Sequence, residues 1–326
     1  MVKFNEGASL DTSQVQDNRG AGCGSGRGGF GGGGLGGIPI GATGGGLGLI
    51  VVLVLAAIQF FGGKFGGTDS SAAPTSSGSS LMQQAADSGG SVSTSDLARK
   101  CKTGAQANTD DDCRVVGFIN SVQDYWSNEF QQQGKKYTTS ITVFYSGQTQ
   151  TGCGTGSTDM GPFYCPQDRQ VYIDLSFWQE LRTQFGTNGG VFAEGYVLAH
   201  EYGHHVQDLL GTSSKVRGGS GPTSGSVRLE LQADCYAGVW TKNATTTPGP
   251  DGQILISDIT QQDINDALDT ASKIGDDYIQ THLGGGQSDP SQYTHGTSAQ
   301  REKWFNAGYS TGNPASCDTF GTNNLG

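Results

Sequence analysis

Histidine is scarce in this chain, five among 326 residues, and three of the five fall within one stretch, "VLAHEYGHHVQDLLG" at 197–211. Positive charge is also in short supply. Lys and Arg number 19 against 30 Asp and Glu, for a formal net charge of −11, which excludes the clustered basic surface that nucleic acid requires. The acidity itself asks for no more than solubility. Apolar residues make up only 34% of the chain, and glycine reaches 55 residues, crowded into 20–67 and into loops. The remainder must therefore supply the core. No C-x-x-C pair occurs, which excludes a zinc site built on cysteines, and no internal repeat is apparent.

One segment reverses the shortage of apolar residues. "GLGLIVVLVLAAIQFF", with the uncharged glycines before it, extends from Gly37 to Gly63, and its strongly apolar part is Leu47–Phe61. That length without charge predicts a transmembrane anchor over 37–63. A cleaved signal peptide would begin nearer the N-terminus, whereas about 36 polar residues come first. Lys3, Arg19 and Arg27 precede the run and Lys64 follows it, too slight a bias to orient it. Cysteine supplies the orientation. Cys101, Cys113, Cys153, Cys165, Cys235 and Cys317 all follow the run, an even set that suits three disulfides in an oxidising compartment, while Cys23 before it stays reduced. Six cysteines allow fifteen pairings. Proximity favours Cys101–Cys113 and Cys153–Cys165, which leaves Cys235–Cys317. The expectation is a single-pass protein of the cell membrane with its folded domain extracytoplasmic. Oligomeric state is not encoded in any feature of the sequence.

Composition divides the chain into four parts. Residues 1–36 are polar, Gly-rich and without periodicity, and are expected to be disordered. The anchor, 37–63, is followed by a Ser/Gly/Ala tether over 64–95. The folded domain occupies 96–326. Within it Val116, Ile119, Val122 and Trp126 keep a helical period. "KYTTSITVFY" and Gln170–Leu175 read as strands. Helices follow at about 176–186, 190–210, 226–244 and 257–280, and a last one begins near Thr297, where Gln300 completes a capping box. A few strands followed by several helices give an α+β fold.

His200, Glu201 and His204 spell H-E-x-x-H. On a helix, i and i+4 share a face, so two imidazoles converge on one metal ion with Glu201 beside them as general base. A catalytic zinc needs a third protein ligand. The form with a third histidine is absent, since Gln207 and Leu210 hold the positions it would need. Downstream, "RLELQADCYAG" offers Glu230 and Asp234 on one helix face: Glu230 as ligand, and Asp234 as the acceptor that fixes a histidine tautomer. Asp234 as the third ligand is the alternative. His205 points away from His204 and reads as packing, and His282 receives no role. His295, in "YTHGTSAQR" with Arg301 beyond it, is placed to donate to a developing oxyanion, or else simply to close a loop. Val171–Leu175 is the candidate strand edge for pairing with an extended substrate.

"AHEYGHHVQ", "ELQADCYAG", "MGPFYCPQDRQVYIDLSFWQEL", "IGDDYIQ" and "THGTSAQREKWF", in that company, resemble the neutral zinc metallopeptidase family of bacterial membrane-anchored proteins. "VQDNRG" at 15–20, ahead of a Gly-rich run and one apolar segment, is similar to that family's N-terminus. The resemblance implies a zincin fold of the gluzincin type, with a glutamate as third zinc ligand and an aspartate four residues on, which Glu230 and Asp234 match. It implies a Zn2+-dependent peptidase acting on peptide or protein. Two other readings stand beside it: a non-enzymatic membrane-tethered binding or assembly protein on a zincin scaffold, and a zinc hydrolase of a non-peptide cell-wall amide.

Overall fold

The computed structural model describes residues 1–20, 94–216 and 218–326. In chain order the elements are β1 Lys3–Phe4, β2 Val15–Asp17, α1 Thr94–Lys100, α2 Asp111–Gln132, β3 Thr142–Tyr145, β4 Gln148–Thr151, β5 Gly154–Ser157, β6 Phe163–Cys165, β7 Gln170–Asp174, α3 Phe177–Thr183, α4 Phe192–Leu209, α5 Gly225–Asn243, β8 Ile256–Asp258, α6 Gln261–Lys273 and α7 Ser298–Thr311. The mixture of helix and small sheets is α+β.

The central sheet runs β2-β3-β7-β6, with β2, β3 and β7 parallel and β6 antiparallel to β7. This corrects the expectation for Val171–Leu175. β7 is paired with β3 over Val171–Asp174 and with β6 over Gln170–Tyr172, and the edge strands of the sheet are β2 and β6. Val171, Tyr172 and Ile173 are all buried, as strands covered on both faces are.

α4 is the spine of the domain. Every residue from Phe192 to Gln207 is buried, the mark of a helix surrounded by protein rather than lying on a surface. α5 packs along it at short range. A Cβ added to Gly203 would lie 3.0 Å from the Ala233 Cα, so a larger residue would have to push the two helices apart by a few tenths of an ångström. α5 and α7 meet the same way, since a Cβ on Gly238 would reach within 2.0 Å of the Phe305 carbonyl oxygen. α7 begins at the Thr297–Gln300 capping box that the sequence indicates.

Three disulfides join Cys101 to Cys113, Cys153 to Cys165 and Cys235 to Cys317. The first fastens α1 to the start of α2, the second ties the β4–β5 hairpin to β6, and the third holds the C-terminal segment on α5.

Two sequence expectations are corrected here. Residues 1–20 are not disordered. Val2, Phe4, Ala8, Leu10 and Val15 are buried in the main core, and β1 and β2 pair with β8 and β3. Too few residues in each strand show a period, and the partners lie far along the chain. The helix expected over 257–280 is divided as well. α6 ends at Lys273 and the chain turns at Gly275, where a Cβ would strike the Ser298 backbone nitrogen at 2.4 Å. The chain also joins the fold at Thr94, slightly before the expected boundary. Among the described residues no helix is long and apolar enough to cross a membrane. The rest of the segment expected to be disordered (21–36), the anchor expected over 37–63 and most of the tether lie outside the described residues.

Candidate metal centre

α4 presents His200 and His204 one turn apart, with ring centroids 4.8 Å from each other. α5, held close at Gly203, brings Glu230 against them. Glu230 Oε2 lies 3.1 Å from His200 Nε2, and Glu230 Oε1 lies 3.4 Å from His204 Nε2. These ligand-type atoms all fall within 4.8 Å of one another, and the three side chains are nearly inaccessible, at 6%, 6% and 2%.

The second ring nitrogen of each histidine is committed elsewhere. His200 Nδ1–H donates to Asp234 Oδ1 at 2.8 Å, and His204 Nδ1–H donates to Gln207 Oε1 at 2.9 Å. Gln207 is itself fixed by donating to the Leu229 carbonyl at 2.7 Å. With Nδ1–H committed in both rings, Nε2 is the nitrogen each turns toward Glu230, and it is the one that would ligate a metal once a cation replaces its proton. His204 Nε2 and Glu230 Oε1 are buried with no hydrogen-bond partner among the described residues. Two nitrogens and one carboxylate in that arrangement match the donor set of a catalytic zinc site.

Asp234 is fully buried and saturated. It accepts from Tyr196 Oη at 2.6 Å, from His200, and from Arg301 Nε and Nη2, each at 2.9 Å. The place of Asp234 is thus behind His200, turned toward Arg301, and Glu230 alone of the two acids faces both Nε2 atoms. Burial works against the imidazolium of His200, yet the carboxylates of Asp234 and Glu230 outweigh it and lift the ring to about 10 when protons are the only cations present. Glu230 shows the converse. Burial would raise its carboxyl, but His204 and His200 hold it well below the ordinary range.

Glu201 is buried beside these groups, and its Oε2 has no partner among the described residues. Burial pushes its carboxyl up, against the pull of His200 and His204. Across the cleft His295 is held by Asp276. Asp276 Oδ2 accepts the backbone N–H groups of Thr294, His295 and Gly296 at 2.8, 2.7 and 2.9 Å, and Oδ1 lies 3.1 Å from His295 Nδ1. His295 Nε2 is left buried and unpartnered among the described residues. Burial disfavours its charge, but Asp276 raises it above the ordinary value. Met160, Pro162, Phe177, Val197 and Ile274 form apolar walls above His200, Glu201, Glu230, His295 and Arg301.

Of the remaining histidines, His205 is in the core, its Nε2–H donating to the Thr138 carbonyl at 2.6 Å, and His282 stacks on Tyr278 outside the cleft. Tyr196, Gln207 and Asp276 were not singled out from sequence. Tyr196 and Gln207 lie four residues before His200 and three after His204, so helical spacing carries a signal for both. Asp276 lies within the "IGDDYIQ" motif of the resemblance, but no spacing relates it to His295, nineteen residues on.

A profile of the family described as "Putative neutral zinc metallopeptidase" matches residues 8–320. An uncharacterized protein of Mycobacterium tuberculosis is 47% identical over 248 residues, covering 76% of this chain and 83% of that one. A Mycobacterium bovis protein, also uncharacterized, matches to the same extent. An uncharacterized protein of Escherichia coli K12 is 44% identical over 210 residues, or 63% of this chain and 69% of the relative. No solved structure matches the chain.

Proposed function

The chain belongs to this neutral zinc metallopeptidase family, and from that premise we propose that it is a zinc-dependent peptidase in which His200, His204 and Glu230 hold the metal and Glu201 is the general base. The observation that carries the reading is the convergence of three buried donor atoms within 4.8 Å beside a buried glutamate with one unpartnered oxygen. Zinc held by these residues would supply a Lewis acid for a water and for the scissile carbonyl. Glu201 Oε2 takes the proton of the attacking water and passes it to the leaving amine, and its raised affinity for protons suits both halves of that transfer. His295 Nε2, fixed by Asp276, donates to the oxyanion. Asp234 and Gln207 keep both ligand imidazoles in the Nε2-free tautomer. Extended peptide lies along Met160–Pro162, which line the cleft and lead into the free edge of β6. The apolar walls of the cleft favour a hydrophobic side chain next to the scissile bond. Three disulfides support an extracytoplasmic placement of the domain.

The test is metal analysis together with cleavage of a peptide library by the full chain, with Glu201→Gln as control. One zinc per chain and cleavage lost in the control support the reading. Absence of bound zinc after reconstitution defeats it. Zinc without cleavage of any peptide turns it toward the non-enzymatic scaffold or the cell-wall amide hydrolase.

A further inference from the structure

The N-terminal twenty residues are built into the domain that the rest of the chain forms, and the domain is shaped to receive them. Asn108 reads the backbone of Phe4 in both directions: its side-chain oxygen accepts the Phe4 N–H at 2.8 Å and its side-chain nitrogen donates to the Phe4 carbonyl at 2.9 Å. Asn120 does the same for Asp11, at 2.8 and 2.9 Å. Gly117 leaves the space that the Phe4 ring fills, since a Cβ there would lie 2.5 Å from it, and Gly104 clears the Asn5 carbonyl. Arg19 closes the segment on the domain by pairing with Asp17 at 2.7 Å and with Asp112 of α2 at 2.8 Å. The chain then leaves and returns at neighbouring points, for the Asp17 N–H donates to Thr94 Oγ1 at 2.9 Å.

This arrangement constrains how the chain can meet a membrane. The apolar run Leu47–Phe61 lies between Gly20 and Thr94. A single crossing there would put residues 1–20 on the side opposite α2, β3 and β8, leaving Asn108, Asn120 and Asp112 without the partners they hold. Two crossings would need roughly 40 apolar residues, far more than the run supplies. We propose that residues 1–20 and 94–326 are one folded unit that lies wholly on one side of any membrane, so that the stretch between them makes no single crossing. The expectation of a single-pass anchor then gives way to a chain that leaves the domain after Gly20 and rejoins it at Thr94 on the same side. Cys23 moves with it, to the same side as the six paired cysteines.

The test uses the full chain in its native membrane, carrying Cys23→Ser so that added thiols report alone. Lys3 and Asp258 are exposed register partners of β1 and β8. Lys3→Cys and Asp258→Cys are labelled singly with a membrane-impermeant maleimide, before and after permeabilisation, and the double variant is treated with a short bismaleimide. Both single thiols should label to the same extent under the same condition, and the pair should cross-link in intact cells. Labelling of Asp258→Cys before permeabilisation and of Lys3→Cys only after it overturns the proposal and restores the single crossing. Equal labelling without cross-linking overturns the folded unit. Should the substituted chains fail to accumulate, native Cys23 is labelled in the unsubstituted chain. Its side is then compared with the side on which external protease digests the domain, and opposite sides again overturn the proposal.

Discussion

Asp234→Asn should damage the protein in two separable ways, because Asp234 both neutralises Arg301 and orients His200. It is 0% exposed and Arg301 is 2% exposed, and the guanidinium donates to both carboxylate oxygens. Asparagine keeps the shape but turns an NH2 toward a donor and leaves the Arg301 charge stranded. Removing one member of a buried pair costs about 3–5 kcal/mol. For a domain of this size each kcal/mol moves Tm by about 2–4 °C, so the metal-free protein should melt roughly 6–20 °C lower. Separately, His200 loses the charged acceptor that orients it, and zinc affinity should fall about 10–100-fold. Adding Arg301→Met removes the stranded charge and should recover most of the Tm, while zinc affinity stays low. Thermal unfolding by circular dichroism in chelator isolates the first effect, and competition with a chromogenic zinc chelator measures the second. A double variant no more stable than Asp234→Asn alone would refute the stranded-charge account. Unchanged zinc affinity in Asp234→Asn would refute the positioning of His200.

Glu201→Gln should keep its zinc while turnover falls by about 10²–10⁴; loss of metal in this variant would mean that Glu201 is a ligand. His295→Ala should lower kcat by roughly 10²–10³ with KM and zinc content unchanged, and a change confined to KM would make it a substrate-binding group instead. Glu194, buried near the start of α4, has its carboxyl pushed up to about 7 chiefly by burial. A folded pKa above the unfolded one contributes stability that is complete below the unfolded value and is lost as pH rises through about 7. Glu194→Gln should therefore match the parent Tm at acid pH and exceed it above neutrality, and an equal Tm difference at both ends would contradict this. Cys235→Ala with Cys317→Ala opens a bridge across 82 residues and should cost about 4–5 kcal/mol in denaturant unfolding; a loss under 1 kcal/mol would show that the C-terminal segment is held by its other contacts.

What was legible in the sequence is what is local in the chain. His200 and His204 declare their common face through spacing alone, and Glu230 with Asp234 do the same on α5. The Cys101–Cys113 and Cys153–Cys165 bridges close short loops, and Cys235–Cys317 follows from what remains. Thr297 and Gln300 announce the start of α7 within four residues. The features that escaped are those decided by distant partners. β7 reads as a strand, but its interior position depends on β3 and β6 pairing on either side of it. Residues 1–20 lack periodicity because Asn108, Asn120 and Asp112, a hundred residues away, supply what periodic packing supplies elsewhere. Asp276 reaches His295 across a turn at Gly275, where the backbone of Ser298, more than twenty residues on, leaves no room for a side chain.

The electrostatics of the cleft argue for division of labour among its acids. Asp234 gives its charge to Arg301 and its lone pairs to His200 and Tyr196. Asp276 spends its oxygens on three backbone N–H groups and on His295. Both are saturated, and such groups hold geometry without taking part in proton or metal exchange. Glu201 and Glu230, equally buried, each retain an oxygen with no partner among the described residues. Leaving a buried carboxylate oxygen unpaired carries a desolvation cost of about 1–3 kcal/mol or more; among the described residues Glu180 and Glu194 bear it outside the cleft, and within the cleft it falls on Glu201 and Glu230. Hydrolysis needs one acid free to accept a proton and another free to ligate a cation. Of the four acids of the cleft, the two with an unpartnered oxygen among the described residues are the ones that H-E-x-x-H and the facing helix assign to those tasks.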